Sequence, residues 1–158
     1  MTAEKIQAVE TNTLPYAAGF CWSTGFLMEK FIKSLAKKEI WAAKCPRCGY
    51  TYVPPRNRCG QCDAKIEEKD LTKLSGKGIL VGFTKAYVQL DASSKFVDLD
   101  EPIFIGAVKL DGADSNLFMQ IAEIDPQDIK EGIKVQVKWQ DQTQGAISDI
   151  QYLTHYEG

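Results

Sequence analysis

Histidine is almost missing from this sequence. His155 is the single one among 158 residues. A mechanism that needs a histidine-activated nucleophile deep in a fold would rest on that one residue, three places from the C-terminus. It is expected to be a solvated tail residue. Long apolar runs are missing too. Ile79-Leu80-Val81 is typical of the longest, whereas a membrane span needs about 20 apolar residues in a row. The first 20 residues lack a basic flank followed by an apolar core, so no secretory signal is expected. The protein is therefore expected to be soluble and cytoplasmic. A surplus of positive charge is also lacking. The net charge is −2, which weakens any reading built on general nucleic-acid affinity, because that affinity comes from a basic surface displacing counterions. The cysteines number five. An odd count without a signal peptide argues against a disulfide framework.

What is present divides the chain in two. Residues 28–73 carry a charge balance of +5 and residues 74–158 a balance of −6. The change falls near Leu71–Gly76. Residues 1–23 lack periodicity and read as an irregular N-terminal arm. Residues 24–70 read as a helix followed by a cysteine module, and residues 71–158 as a β-barrel with a C-terminal tail. The helix is expected over Thr24–Lys38. Phe26, Leu27, Met28, Phe31, Ile32, Leu35 and Ala36 form one stripe at 3–4 spacing. Ser23 or Thr24 is the expected cap. The stripe either packs on its own domain or is lent to a partner. The cysteine module alone looks too small to cover it. Trp22, Phe26, Phe31 and Trp41 are the candidate partner anchors, since buried aromatics dominate such interfaces.

Ile40–Lys44 reads as a short strand. From Leu71 onward the pattern is β. Strands are expected at Ile79–Leu90, Ile103–Leu110, Leu117–Ile124, Ile133–Trp139 and Ala146–Leu153. Gly82 within the first of these suggests a bulge. Asp91–Pro102 reads as a polar, acidic connection. Asp125–Gly132 reads as a single helical turn, with Pro126 at its first position and Gly132 after its end. Ile133, Val135, Val137 and Trp139 alternate with Lys134, Gln136 and Lys138, the pattern of a half-buried strand. Five strands with one short turn before the fourth suit a small antiparallel barrel of the OB type. The fold class is thus mainly β: an N-terminal helix, a four-cysteine zinc ribbon, then a five-stranded OB-fold barrel.

The chemistry-bearing pattern is Cys45-Pro46-Arg47-Cys48-Gly49 followed, ten residues on, by Cys59-Gly60-Gln61-Cys62. Two C-x-x-C pairs form two knuckles whose thiolates meet at one metal. Four thiolates in a tetrahedral array favour zinc and close the site to substrate, so the metal is structural. Iron held by four cysteines, or a redox dithiol at one pair, are the alternatives. Asp63 follows the second pair where glycine often stands. Cys21 lies outside the module and reads as a small buried hydrophobe. Lys44, Arg47, Arg56 and Arg58 surround the knuckles. They could meet a phosphate group, or else form a solvated surface that offsets the charge of the metal tetrathiolate.

An N-terminal helix, a C-P-x-C-G knuckle, Pro54-Pro55-Arg56, a second knuckle and the phrase Leu74-Ser75-Gly76-Lys77-Gly78-Ile79-Leu80-Val81-Gly82-Phe83-Thr84 follow one another. Over residues 25–140 this resembles the zinc-ribbon plus OB-fold acyl-CoA-associated proteins. The resemblance implies a non-catalytic accessory subunit of a thiolase-like acyl-CoA acyltransferase complex. Such a subunit docks on the catalytic chain and helps form or shield the coenzyme A site. One zinc, coenzyme A or acyl-CoA at a site shared with the partner, with Lys44, Arg47, Arg56 and Arg58 as candidates for its phosphates, and a hetero-oligomer built on a thiolase dimer are implied with it. Thiolytic cleavage of an aromatic 3-oxoacyl-CoA such as benzoylsuccinyl-CoA lies within that implied range. The residues agree on one point independently: thiolysis needs a cysteine nucleophile with general acid and base groups beside it, and here four cysteines are committed to metal. The alternative reading is a single-stranded nucleic-acid-binding ribbon and barrel, with Phe104 and Phe118 as stacking candidates. The acidic run Asp98-Leu99-Asp100-Glu101 opposes it.

Overall fold

The structure, a computed structural model, describes residues 23–91 and 95–156. The expected irregular arm, Cys21 and Trp22 lie outside the described residues. Helix α1 spans Phe26–Leu35 and is shorter at both ends than expected. Its start is set by backbone rather than by a side-chain cap. Gly25, at φ 82°, accepts from the Glu29 amide at 2.9 Å, and the Ser23 hydroxyl accepts from the Gly25 amide instead of from the helix. Its end is a turn through Lys38, whose φ of 57° is left-handed.

Strands β1 (Ile40–Lys44), β2 (Thr51–Tyr52) and β3 (Leu71–Leu74) form an antiparallel sheet in the order β2-β1-β3. Ile40 to Ala43 pair with Leu74 to Leu71. Leu71, where the sequence suggests the barrel begins, therefore starts in the ribbon's sheet. The change from ribbon to barrel comes at Ser75-Gly76, after β3 has closed that sheet.

Strands β4 (Lys77–Leu90), β5 (Phe96–Leu110), β6 (Asn116–Ile121), β7 (Lys134–Trp139) and β8 (Ile150–His155) close a barrel in the order β4-β5-β6-β8-β7. All its pairings are antiparallel except β6 with β8, joined in parallel at Ile121–Leu153. Leu80, Val108, Leu110, Ile121, Val135, Val137 and Leu153 fill the interior. The register of β4 against β5 slips between Leu80 and Gly82, the bulge that a glycine in a coiled strand suggests. Gly106 faces the interior so closely that a Cβ there would sit 2.6 Å from Leu80 Cδ1 and 2.7 Å from Ile121 Cδ1.

Four expectations are corrected in this half. Asp125–Gly132 is a hydrogen-bonded turn, not a turn of helix. The Asp128 amide donates to the Asp125 carbonyl at 2.8 Å, and the Gly132 amide donates to the Leu80 carbonyl, which pins the turn to β4. Residues 146–149 precede the last strand rather than belonging to it. There the buried Asp149 carboxylate accepts from the amides of Gln144, Gly145 and Ala146. His155 is not in a loose tail but ends β8, paired with Val135, with its side chain exposed.

The fourth is the largest. The acidic segment expected to be a connection is mostly strand. β5 begins at Phe96, and Phe96, Val97 and Asp98 pair with Leu90, Gln89 and Val88. Between Ala86–Ile103 and Val88–Asp98 the register slips again, with Leu99 to Pro102 set against Tyr87. β4 and β5 thus run on beyond the barrel as a two-stranded arm.

Helix α1 lies in the seam. Leu27 belongs to the ribbon's small apolar cluster, while Phe31 and Leu35 belong to the barrel's core. The ribbon alone is indeed too small for the stripe, but the barrel supplies the second wall. The turn after β5 locks the halves from the other side. The Thr51 amide donates to the Asp114 carboxylate at 2.9 Å, and the Val53 amide to the Ser115 hydroxyl at 2.8 Å. Among the described residues no helix is long and apolar enough to cross a membrane.

Candidate metal centre and its surroundings

The first knuckle leaves β1 at Cys45 and the second follows the loop after β2. Each closes with one backbone bond: Gly49 N–H to the Cys45 carbonyl and Asp63 N–H to the Cys59 carbonyl, both 2.9 Å. Each then turns through a left-handed residue, Gly49 at φ 77° and Asp63 at φ 56°. Asp63 thus occupies the backbone conformation glycine favours. Aspartate is one of the few side chains that enters it readily, and its carboxylate also meets the Arg58 guanidinium at 3.1 Å.

The two knuckles bring Cys45, Cys48, Cys59 and Cys62 together, with all four sulfurs within 4.8 Å of one another. Cys45 Sγ lies 3.6 Å from Cys62 Sγ, and Cys48 Sγ lies 3.5 Å from Cys59 Sγ. Zinc–sulfur bonds of about 2.3 Å in a tetrahedron require sulfur–sulfur edges of about 3.8 Å. The four residues therefore fit a zinc ion with little adjustment. With four protein ligands, such a zinc has no open position for substrate and serves the fold.

Tyr52 is a residue that the spacing argument missed. Its hydroxyl lies 3.4 Å from Cys59 Sγ and accepts from the Gly60 amide at 2.9 Å. This contact is the main cause that brings the Cys59 thiol down to about 6, against the opposing effect of burial. The ring is buried and holds the second knuckle in place. Only its position just past the first knuckle could have signalled it.

The four basic candidates do not share one task. Arg47 Nη1 donates to the Cys62 carbonyl at 3.2 Å and so ties the first knuckle to the second. Arg58 is held by Asp63. Arg56 stacks 5.5 Å above the Tyr52 ring. Lys44 stands exposed at the end of β1, beside Gly49 and Asp114. Arg47 and Arg58 thus brace the ribbon, and Lys44 and Arg56 keep the more open surfaces.

The aromatic candidates separate as well. Phe31 is only 3% exposed and packs inside the core, so it offers nothing to a partner. Phe26 is 54% exposed. Trp41 is half-buried, and its indole N–H donates to Glu39. It lines a cleft of about 430 Å³ with Lys30, Lys33 and Lys37. The two stacking candidates do not make one platform. Phe104 is buried at the barrel's inner face beneath Phe83 and Lys85, while Phe118 is 72% exposed, on the face shared with its partner Ala107.

These features agree with comparisons to known proteins. Residues 33–67 match the family described as ChsH2, rubredoxin-like zinc ribbon domain, and residues 71–140 match ChsH2, C-terminal OB-fold domain. A DUF35 domain-containing scaffold protein of Methanocaldococcus jannaschii is 29% identical over 93 residues, which cover 59% of this chain and 62% of that protein. Two solved structures share the fold. One is a DUF35 protein of unknown function from Sulfolobus solfataricus, with a TM-score of 0.53 and 23% identity over 69% of this chain and 75% of the other. The second is the Ltp2-ChsH2(DUF35) aldolase, with a TM-score of 0.55 and 16% identity over 79% of this chain and 89% of the other. With a ribbon and a barrel both of this type, in this order and around this four-cysteine centre, the chain belongs to the ChsH2-type (DUF35) zinc-ribbon plus OB-fold family.

Proposed function

We propose that this chain is a non-catalytic accessory subunit of a thiolase-like acyl-CoA acyltransferase complex. It would dock on the catalytic chain and help form or shield the coenzyme A site. The observation that carries this reading is the commitment of the described cysteines. All four converge on one closed centre, and the one histidine, His155, stands exposed at the end of β8. The nucleophile and the acid and base groups that thiolysis needs would come from a larger chain. The family's scaffold relative, and a structural neighbour whose ChsH2 chain accompanies the Ltp2 aldolase, support an accessory role.

The ligand proposed for the shared site is coenzyme A or its acyl thioester. Lys44 and Arg56 are the contacts proposed for its phosphates, since Arg47 and Arg58 are engaged by the ribbon. Cleavage of an aromatic 3-oxoacyl-CoA such as benzoylsuccinyl-CoA is the finer form of the proposal. Four metal-held thiolates suit a reducing compartment, so the complex is proposed to be cytoplasmic.

Native mass spectrometry of the protein, purified gently from its own cells, tests the reading. A complex with a larger chain of thiolase size, carrying one zinc per small chain, is the expected result. A lone zinc-bearing chain at low salt would overturn it. If the complex forms, replacing Lys44 and Arg56 by Ala should raise the KM for coenzyme A. An unchanged KM would confine the subunit to a scaffolding role.

A further inference from the structure

The barrel closes by the Ala86–Ile103 pair, but β4 and β5 do not stop there. Leu90 lies four residues further on, which at about 3.3 Å per residue carries the arm about 13 Å past the barrel. Beyond Leu90 the arm is tied again: the Asp91 and Lys95 amides donate to the Lys95 carbonyl and the Asp91 carboxylate, both at 2.9 Å. Paired residues of an antiparallel ladder share a face, and successive residues alternate. Val88, Leu90, Phe96 and Asp98 therefore share one face of the arm, and Gln89 and Val97 share the other.

Apart from Asp98 toward its base, the first face is apolar and open. Leu90 is 60% exposed and Phe96 is 79% exposed, and neither joins a core cluster. Two-stranded ribbons gain little stability by themselves in water. Clustered apolar side chains on such a ribbon mark an interaction surface. The shape constrains the occupant. A ribbon two strands wide, with apolar side chains on both faces, is covered by a cleft rather than by a flat surface. The charge constrains it further. Asp98, Asp100 and Glu101 are exposed at the base of the arm, and none is ion-paired among the described residues. A second copy of the arm would set like charges against one another, which is unfavourable across strands. An anionic lipid surface would be repelled as well.

We infer that the outer β4–β5 arm inserts into an apolar cleft rimmed by Lys or Arg on the catalytic partner, with Leu90 and Phe96 as its anchors. This rests on the accessory-subunit reading and adds the element that makes the contact. The docking surface then belongs to the acidic half of the chain, not to the helix stripe, whose Leu27, Phe31 and Leu35 are buried in the fold. Opposite charge around the cleft guides encounter, and the buried anchors hold the complex.

The test uses the full chain and its partner as purified together. Leu90→Ser with Phe96→Ser should weaken the complex about 30-fold or more, the loss typical of truncating central anchors. Both side chains are exposed, so zinc content and circular dichroism should not change. Asp98→Asn, Asp100→Asn and Glu101→Gln together should slow association and flatten its salt dependence. A photo-reactive residue in place of Val97 should cross-link to a peptide of the larger chain rich in apolar and basic residues. The same residue in place of Gln120, on the barrel's outer face, should not. If wild type and the Leu90/Phe96 variant bind the partner equally, the arm is not the contact, although the accessory reading stands. Cross-linking only to a second copy of this chain would also overturn the inference. If wild type binds no larger chain, the accessory reading itself fails and the inference falls with it.

Discussion

The ribbon gathers a small apolar cluster: Leu27, Ala43, Tyr52, Ala64 and Ile66 beside its sulfurs. The barrel gathers Leu80, Val108, Leu110, Ile121, Val135 and Leu153, and also takes Phe31, Leu35, Ile40 and Val53 from the front half. One region has too little buried surface to fold without a metal. The other is a hydrophobic core of ordinary size that extends into its neighbour. A small module can be stapled by local coordination, because four ligands in two short knuckles need little chain to meet. A barrel must bring five distant strands into register, and only a shared core repays that cost.

The sharpest break in this comparison is removal of the metal. Zinc binding in small modules is worth ~10–16 kcal/mol and becomes folding energy. Chelation, or Cys59→Ser, should therefore unfold the ribbon and shift the Trp41 fluorescence. Far-ultraviolet circular dichroism should still report the barrel strands. Concerted loss of both signals would mean that the barrel, too, depends on the metal.

Phe31→Ala comes next. It removes a buried aromatic from the seam and should cost about 3–5 kcal/mol. Phe26→Ala, five residues earlier and half-exposed, should stay within about 0.5 kcal/mol. Urea denaturation of the two variants compares a residue that joins the halves with one that does not. Gly106→Ala tests the barrel alone. Its new methyl would press on Leu80 and Ile121, an overpacking cost of about 1–3 kcal/mol. The zinc content should not change.

The smallest effects should come from the two knuckle turns. Nothing lies within 4 Å of a Cβ built at Gly49, so Gly49→Ala costs only left-handed backbone strain, about 1–2 kcal/mol. Asp63→Gly relieves the same strain and should gain less than about 1 kcal/mol, partly offset by the lost Arg58 pair. Thermal melts of the zinc-loaded protein would separate the two signs.

How far each part could be read from sequence follows from how local its cause is. The metal ligands were legible because coordination by C-x-x-C pairs is set within a few residues. Strand β7 was legible because Val135 and Val137 alternate with polar neighbours on a half-buried face. The fate of the helix stripe was not. Its periodicity shows that Phe31 needs cover, but not that the barrel's core provides it. The arm was missed for the opposite reason. Asp98, Asp100 and Glu101 give β5 the composition of a loop, while its strand character comes from pairing with β4.

The two-part order, the four thiolates and the glycine-marked bulge in β4 were set by local spacing or backbone freedom and could be read along the chain. What covers α1, where the ribbon's sheet ends and which apolar side chains remain exposed emerge only in the folded molecule. Those outcomes depend on contacts between segments far apart in the chain. Leu80 and Leu90 are the same residue type ten positions apart on one strand, yet the first is buried in the barrel and the second stands 60% exposed on the arm. The difference is the presence of a closed barrel around one and of a lone partner strand beside the other.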